Sequence, residues 1–250
     1  RAEPEEWWRW WLFGRGAETS RIAVAFGAGG VVGMQPVSFF PLAWAGRSGW
    51  CALLTGGMIA PESRGKGLFR SLVDAAVAEA WRRDCRIVLT MPNERSAPAF
   101  ERFGWTNLGD RSVMVWLGGR NGEGARPATG AALRNGQELS EENIGCLVAG
   151  SEGEPVAGIV RDAAWLRWRY RGNPISEYSI VHDPEVTASE AAIAVGTVRR
   201  LRGVRVGWLV DLVGREGASR RRALVALARE LRRQGAVLVA SVVGGRTIQA

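Results

Sequence analysis

The chain has 250 residues, 46% hydrophobic and 23% charged, an ordinary globular composition with length for one large domain or, as the better expectation, two small ones. The net charge is +8, but Lys66 is the only lysine and the arginines are scattered, so nucleic acid is not an expected partner. No apolar run reaches the ~20 residues that span a bilayer, and the basic, aromatic start around Trp7 to Phe13 lacks a signal-peptide layout, which leads to a cytoplasmic expectation.

The first residue is Arg1 rather than Met, as in a trimmed chain. Cys51, Cys85 and Cys146 stand 34 (85 − 51) and 61 (146 − 85) positions apart, too scattered for a zinc knuckle or a paired redox motif. They read as reduced, buried thiols, and no metal is expected.

In chain order, Arg21 to Phe26 and Val31 to Phe40 read as strands joined by the turn Gly27 to Gly30, a hairpin. Trp50 to Ile59 is the next apolar run, ended by Pro61. A glycine-bearing loop follows, then a helix-period stretch with Leu68, Leu72, Val73, Ala76, Val77 and Ala80 on one face. Arg86 to Met91 reads as a buried strand. Asn93 to Phe103 reads as a short helix with Ser96 as N-cap and Gly104 as its stop. Thr106 to Leu117 would add one or two closing strands. Gly118 to Gly136, rich in Gly, Asn, Arg, Pro and Ala, reads as a linker. The expected division is therefore 1–120, a linker at 121–135, and a second domain at 136–250.

A self-comparison relates the two halves. Trp7, Arg9, Trp10 and Ile22 match Trp165, Arg167, Trp168 and Ile180 at one shift of 158 (165 − 7, 167 − 9, 168 − 10, 180 − 22), and the same shift carries Gly49-Trp50 onto Gly207-Trp208. One offset serving separated segments points to a tandem duplication. The next strands, Arg86 to Met91 and Ala236 to Ser241, are offset by only about 150, so the second copy has lost the glycine loop. It would be a non-catalytic partner, and within this chain it would lack its final helix and strands.

The lost segment is the one with chemistry. Pro61 to Phe69 reads P-E-S-R-G-K-G-L-F between a strand and a helix. Gly65 and Gly67 free the backbone to turn, so that successive N–H groups and the first-turn amides of the helix converge on one spot. The helix dipole, Arg64 and Lys66 add positive charge, which suits a pyrophosphate. A plain strand-to-helix turn is the bland alternative. Neither the G-x-x-x-x-G-K-S/T spacing nor a Rossmann fingerprint is present.

The segment resembles motif A of the GCN5-related N-acetyltransferase (GNAT) superfamily, whose R/Q-x-x-G-x-G/A pattern binds the CoA pyrophosphate. Arg64 and Gly67 match its first fixed positions, and Phe69 stands where Gly or Ala is usual. P-N-E-R-S-A-P-A-F-E-R-F-G-W, Pro92 to Trp105, resembles motif B. The resemblance implies an α/β fold with mixed α+β sheets, here as tandem GNAT-like acyl-CoA transferase modules, the second lacking the pyrophosphate loop. It implies acetyl-CoA as cosubstrate, held by Arg64, Gly65, Lys66, Gly67, Leu68 and Phe69 at the pyrophosphate. Met58, Ile59 and Ala60 would offer strand amides to the pantetheine arm. Asn93 and Ser96 would meet that arm or steady the loop, with Phe100 and Phe103 packed beside it.

An attacking amine must be neutral and lose a proton, while the CoA thiol, with a pKa near ~8.5, leaves readily. Many family members carry a Tyr as general acid on the motif B helix, where this chain has Phe100. The candidate catalytic groups elsewhere are Glu94, which would act through water, and Tyr170 or His182, which would line a cleft between modules. The alternatives are aromatic packing for Tyr170 and Tyr178, and a turn with Asp183 and Pro184 for His182. Asp211, between apolar residues, is either a buried acid or a loop-binding group. The arginines at 220–222, 229, 232 and 233 form a solvated face or an anion site. The tryptophans of the repeated W-x-R-W have the spacing of core residues, and a sugar-stacking platform is the other reading.

These observations lead to acetyl transfer to a primary amine of a small molecule or amino sugar. The alternatives are a degenerate CoA-binding or scaffold protein, and an acyl or aminoacyl transferase of cell-envelope polymer synthesis.

Overall fold

The computed structural model describes residues 4–109, 111–116, 132–134, 158–182, 192–213 and 217–244. They form two units, Arg1–Asn107 with Pro155–Val160, and Leu108–Glu154 with Arg161–Ala250.

In the first unit, helix α1 (Glu5–Phe13) precedes a sheet ordered β1 (Ser20–Gly27), β2 (Gly30–Trp44), β3 (Arg47–Leu54) and β5 (Cys85–Thr90). The first three strands are antiparallel, and the expected hairpin closes at Gly27↔Gly30. β3 and β5 are parallel, as the intervening helix α2 (Leu68–Arg82) requires of a crossover connection. β2 is 15 residues long, enough to carry a short strand at each end: β4 (Met58–Ile59) on Gly33 and Met34, and β8 (Gly158–Ile159) on Leu42 and Ala43.

Leu72, Val73, Ala76 and Ala80 recur at helical spacing along α2 and are buried. They meet Val37, Phe39, Ala52 and Leu54 of the sheet, and Phe100 of α3 (Ala97–Arg102) closes the same core. Each large side chain buried here contributes ~1.5–3 kcal/mol. Gly33 permits the close approach, because a Cβ there would lie 2.8 Å from Ile59 Cδ1 and 3.0 Å from Leu72 Cδ1.

The second unit repeats this order of elements. A helical segment, α4 (Ala163–Leu166) running into a π-helical turn at Arg167–Arg171, precedes β9 (Ser179–His182), β10 (Ile193–Leu201), β11 (Val204–Val213), helix α5 (Ala218–Arg233) and β12 (Leu238–Gly244). β9, β10 and β11 are antiparallel, and β12 lies parallel to β11. α5 buries Ala223, Leu227, Ala228 and Leu231 against Val181, Ala194 and Val239. Gly207 makes room for it, since a Cβ there would be 3.0 Å from Leu231 Cβ.

The structure departs from the sequence reading at four places. The run Trp50 to Ile59 is two strands, because β3 leaves β2 after Val37↔Leu54 and β4 returns to it at Met34↔Met58. Within Thr106 to Leu117, the strand β6 (Arg111–Trp116) pairs with β12 and so closes the second sheet. Within 118–136, Ala132–Arg134 form β7 and pair with β9, while the rest of that expected linker lies outside the described residues. Ser96 holds the N-cap position of α3 in an αR conformation without capping it. Asn93 supplies the local cap instead, its Oδ1 accepting from the N–H groups of Arg95 and Ser96, both at 3.0 Å.

Candidate functional site

The site is built where β3 stops pairing. Up to Leu54↔Thr90, β3 lies between β2 and β5; beyond it the chain turns through Thr55–Gly57 and returns as β4 against β2 alone. β4 and the end of β5 are thus splayed.

Gln35, 2% exposed, fills the break in the ladder, its Nε2 donating to the carbonyls of Pro36 at 2.9 Å and Thr55 at 3.5 Å. Trp8 covers Gly56 so closely that a Cβ there would lie 2.1 Å from its ring, and Trp11 Nε1 donates to Thr55 Oγ1 at 3.1 Å. The tryptophans of α1 therefore clamp the segment that ends β3. Sequence reasoning missed Gln35, Gly56 and Trp8; a buried-strand amide followed by proline was the signal for the first.

The ladder fixes which amides of β4 are free. Ala60 N–H donates to Val32 O at 2.9 Å, and Met58 pairs with Met34. Alternate residues of an antiparallel ladder face the partner strand, so the N–H and C=O of Ile59 point away from β2, into the splay. Of Met58, Ile59 and Ala60, only Ile59 offers its amide there. Its carbonyl accepts from Arg64 Nε at 3.2 Å, which ties the start of the glycine loop to β4.

Gly65 and Gly67 have φ of +75° and +76°, and a Cβ at either would meet nothing within 4 Å. Glycine is needed there for backbone conformation, not for space. The N–H groups of Gly65, Lys66, Gly67, Leu68, Phe69 and Arg70 have no acceptor among the described residues; the first bond back into the loop is Ser71 N–H to Gly67 O at 3.3 Å. A row of unpaired donors at the N-terminus of a helix 15 residues long has the geometry that suits an anion. Lys66 is exposed beside it.

Phe69, the departure from the motif, packs edge-on to Phe100 at 5.5 Å and tilted to Phe103 at 5.8 Å, and Phe100 meets Trp105 at 5.0 Å. These rings join the start of α2 to α3. Phe100 is 6% exposed and belongs to the core. Gly104, at φ +85°, ends α3, with Trp105 N–H donating back to Phe100 O at 3.1 Å. Ser96 Oγ accepts from Asn93 N–H at 3.1 Å and lies 3.2 Å from Asn93 Oδ1, so the two steady the turn after β5. Glu94 is exposed on that turn.

The remaining candidates lie in the second unit. Tyr170 is 4% exposed and donates to Asp211 Oδ2 at 2.7 Å, and Asp211 also meets Arg161 at 3.4 Å. Desolvation first, then the Asp211 charge, push the phenol well above its ordinary range. Tyr178 stacks edge-on to Tyr170 at 5.1 Å. His182 closes β9; Asp183 and Pro184 lie outside the described residues. In α5, Arg220 donates to Leu212 O and Arg233 pairs with Glu230 at 2.7 Å. Where Thr55–Gly67 lies between β3 and α2, only residues 214–217 lie between β11 and α5.

A splayed mixed sheet with a glycine loop opening a helix is an α/β arrangement of the acyltransferase type. Residues 2–108 match the family model described as an acetyltransferase (GNAT) domain. Over these residues the chain is thus similar to the GCN5-related N-acetyltransferase superfamily. No curated protein matches it.

Among solved structures, the fold is similar to a conserved protein of unknown function from Enterococcus faecalis V583, with TM-score 0.67 and 14% identity over 98% of this chain and 61% of that one. A GCN5-related N-acetyltransferase from Anabaena variabilis ATCC 29413 has TM-score 0.60 and 17% identity over 95% of this chain and 58% of that one. Another from Kribbella flavida has TM-score 0.59 and 16% identity over 88% and 52%. The chain therefore spans between half and two thirds of the length of these structures. These likenesses are of fold.

Proposed function

We propose that the first unit takes acetyl-CoA as cosubstrate and transfers its acetyl group to a primary amine of a small molecule or amino sugar. The observation that carries this reading is the row of unpaired N–H groups from Gly65 to Arg70, continued by the outward amide of Ile59. The loop amides, with Arg64 and Lys66, suit the pyrophosphate, and Ile59 suits an amide of the pantetheine arm. Phe69, Phe100 and Phe103 fix α2 and α3 on either side. Met58, Ala60 and Leu68 shape the backbone, and Asn93 with Ser96 holds the turn between β5 and α3.

In the reaction the amine nitrogen attacks the thioester carbon, a C–N bond forms and the C–S bond breaks. One proton leaves the nitrogen and the CoA sulfur departs as thiolate or thiol. Holding the two reactants in line supplies much of the rate. Glu94, exposed on the turn after β5, is the carboxylate of the first unit proposed to take the proton through water. Tyr170 is held by Asp211 within the second core, so proton delivery is not assigned to it.

The second unit is proposed to be a duplicated, non-catalytic partner. Its repeated element order and the short 214–217 connection support this. A second reading, CoA binding without catalysis, is favoured by one observation: the motif B position that carries a phenol in many family members is here the buried hydrocarbon of Phe100.

The test is release of free CoA thiol from acetyl-CoA in the presence of primary amines and amino sugars. Turnover with one class of acceptor supports transfer. Tight acetyl-CoA binding with no thiol release across the panel favours the second reading.

A further inference from the structure

The hairpin between β10 and β11 carries three locally unfavourable choices at its tip. Arg202 and Gly203 form its two-residue turn with φ of +48° and +86°, a conformation in which Asn, Asp or Gly is preferred at the first position. Arg200 lies directly across from Arg205, a like-charged pair that weakens a sheet. Leu201 and Val204, opposite each other beside the turn, are 55% and 44% exposed.

The Arg205 side chain lies against Gly235 at the end of α5, where a Cβ would be 3.1 Å from its Nη1, but no ion pair among the described residues accounts for Arg200 or Arg202. The guanidinium groups of Arg200, Arg202 and Arg205 have no carboxylate partner among the described residues, and Asp211 is the only acid between Ile193 and Val213. Among the described residues, Arg199 donates to the Ser176 hydroxyl at 2.5 Å. The corresponding turn of the first sheet, Ala45-Gly46, has φ of +45° and +75° and needs no cation. Rules broken together at one exposed point mark a functional surface rather than a requirement of the fold.

We propose that this tip docks on an anionic lipid surface. Arg199, Arg200, Arg202 and Arg205 meet the headgroup phosphates while Leu201 and Val204 enter the interfacial layer. Cations alone would suit any polyanion. The exposed apolar pair between them favours lipid over a nucleic-acid duplex, because only the bilayer offers apolar side chains a medium to enter. The surface is independent of the acetyl-CoA reading and remains if that reading fails.

The experiment is flotation of the whole chain with vesicles of phosphatidylcholine alone and with added phosphatidylglycerol, at low and high salt, with a labelled DNA duplex in parallel. Binding is expected to the mixed vesicles only, and to weaken with salt. Arg202→Gly relieves the turn, so it should keep or raise Tm yet weaken vesicle binding about fivefold, the equivalent of about 1 kcal/mol per cation. Leu201→Ser with Val204→Ser should weaken it as well. Absence of binding to mixed vesicles, binding unchanged in both variants, or duplex binding without vesicle binding would each overturn the proposal.

Discussion

The hydroxyl of Tyr170 lies 2.7 Å from the carboxylate of Asp211, forty-one positions away on β11, and both groups are nearly removed from solvent. The bond ties the π-helical turn to the second sheet. Tyr170→Phe leaves Asp211 with Arg161 and the Leu212 N–H alone. The expected cost is ~1–3 kcal/mol, read as a lower urea midpoint, with acetyl-CoA binding to the first unit unchanged. An unchanged midpoint would show that the bond adds no stability.

The same phenol sets an alkaline limit. Its folded pKa is raised above the unfolded value near ~10, so the folded state binds the proton more firmly. That stability is full below about pH 10 and is lost as pH rises above it. Urea midpoints measured across the alkaline range should fall more steeply for the wild type than for Tyr170→Phe; parallel curves would count against it.

Burial pushes the Cys85 thiol up to about 11 and raises that of Cys51. In a Cys146→Ser background, neither should react with iodoacetamide at neutral pH until the protein is unfolded, as counted by mass spectrometry. Labelling of the native protein would contradict the packing of β3 against β5.

Gly56 tests the clamp by α1. Alanine there would combine a φ of +65° with a Cβ 2.1 Å from the Trp8 ring, for an expected loss of ~1–3 kcal/mol or more. Gly46→Ala, with φ of +75° and open space, isolates the backbone cost of ~1–2 kcal/mol. Equal Tm losses in the two variants would mean that the Trp8 contact is not limiting.

Much of the fold was legible because its signals are local. The helix of Leu72, Val73, Ala76 and Ala80 follows from spacing, and the hairpin from Gly27 to Gly30. The glycine loop was legible because glycine adopts the left-handed φ of residues 65 and 67 without the strain a side chain would bring. What was not legible depends on partners distant in the chain. The sequence marks one or two strands within Thr106 to Leu117 but says nothing about which edge receives them, and Arg111–Trp116 pairs with β12. The break after Leu54 depends on Gln35 and Trp8, and the outward amide of Ile59 on its register with Gly33. Ser96 has a good capping side chain, but Asn93 starts the turn three residues earlier.

The most direct test of the account is calorimetric titration of acetyl-CoA into the wild type and into a Gly65→Ala, Gly67→Ala variant. Both replacements meet open space, so the core is untouched, but each strains a left-handed position by ~1–2 kcal/mol and turns the loop amides away. The account predicts saturable binding by the wild type, weakened tenfold or more in the variant, the equivalent of ~1.4 kcal/mol or more. No binding by the wild type, or equal affinity in both proteins, would contradict it.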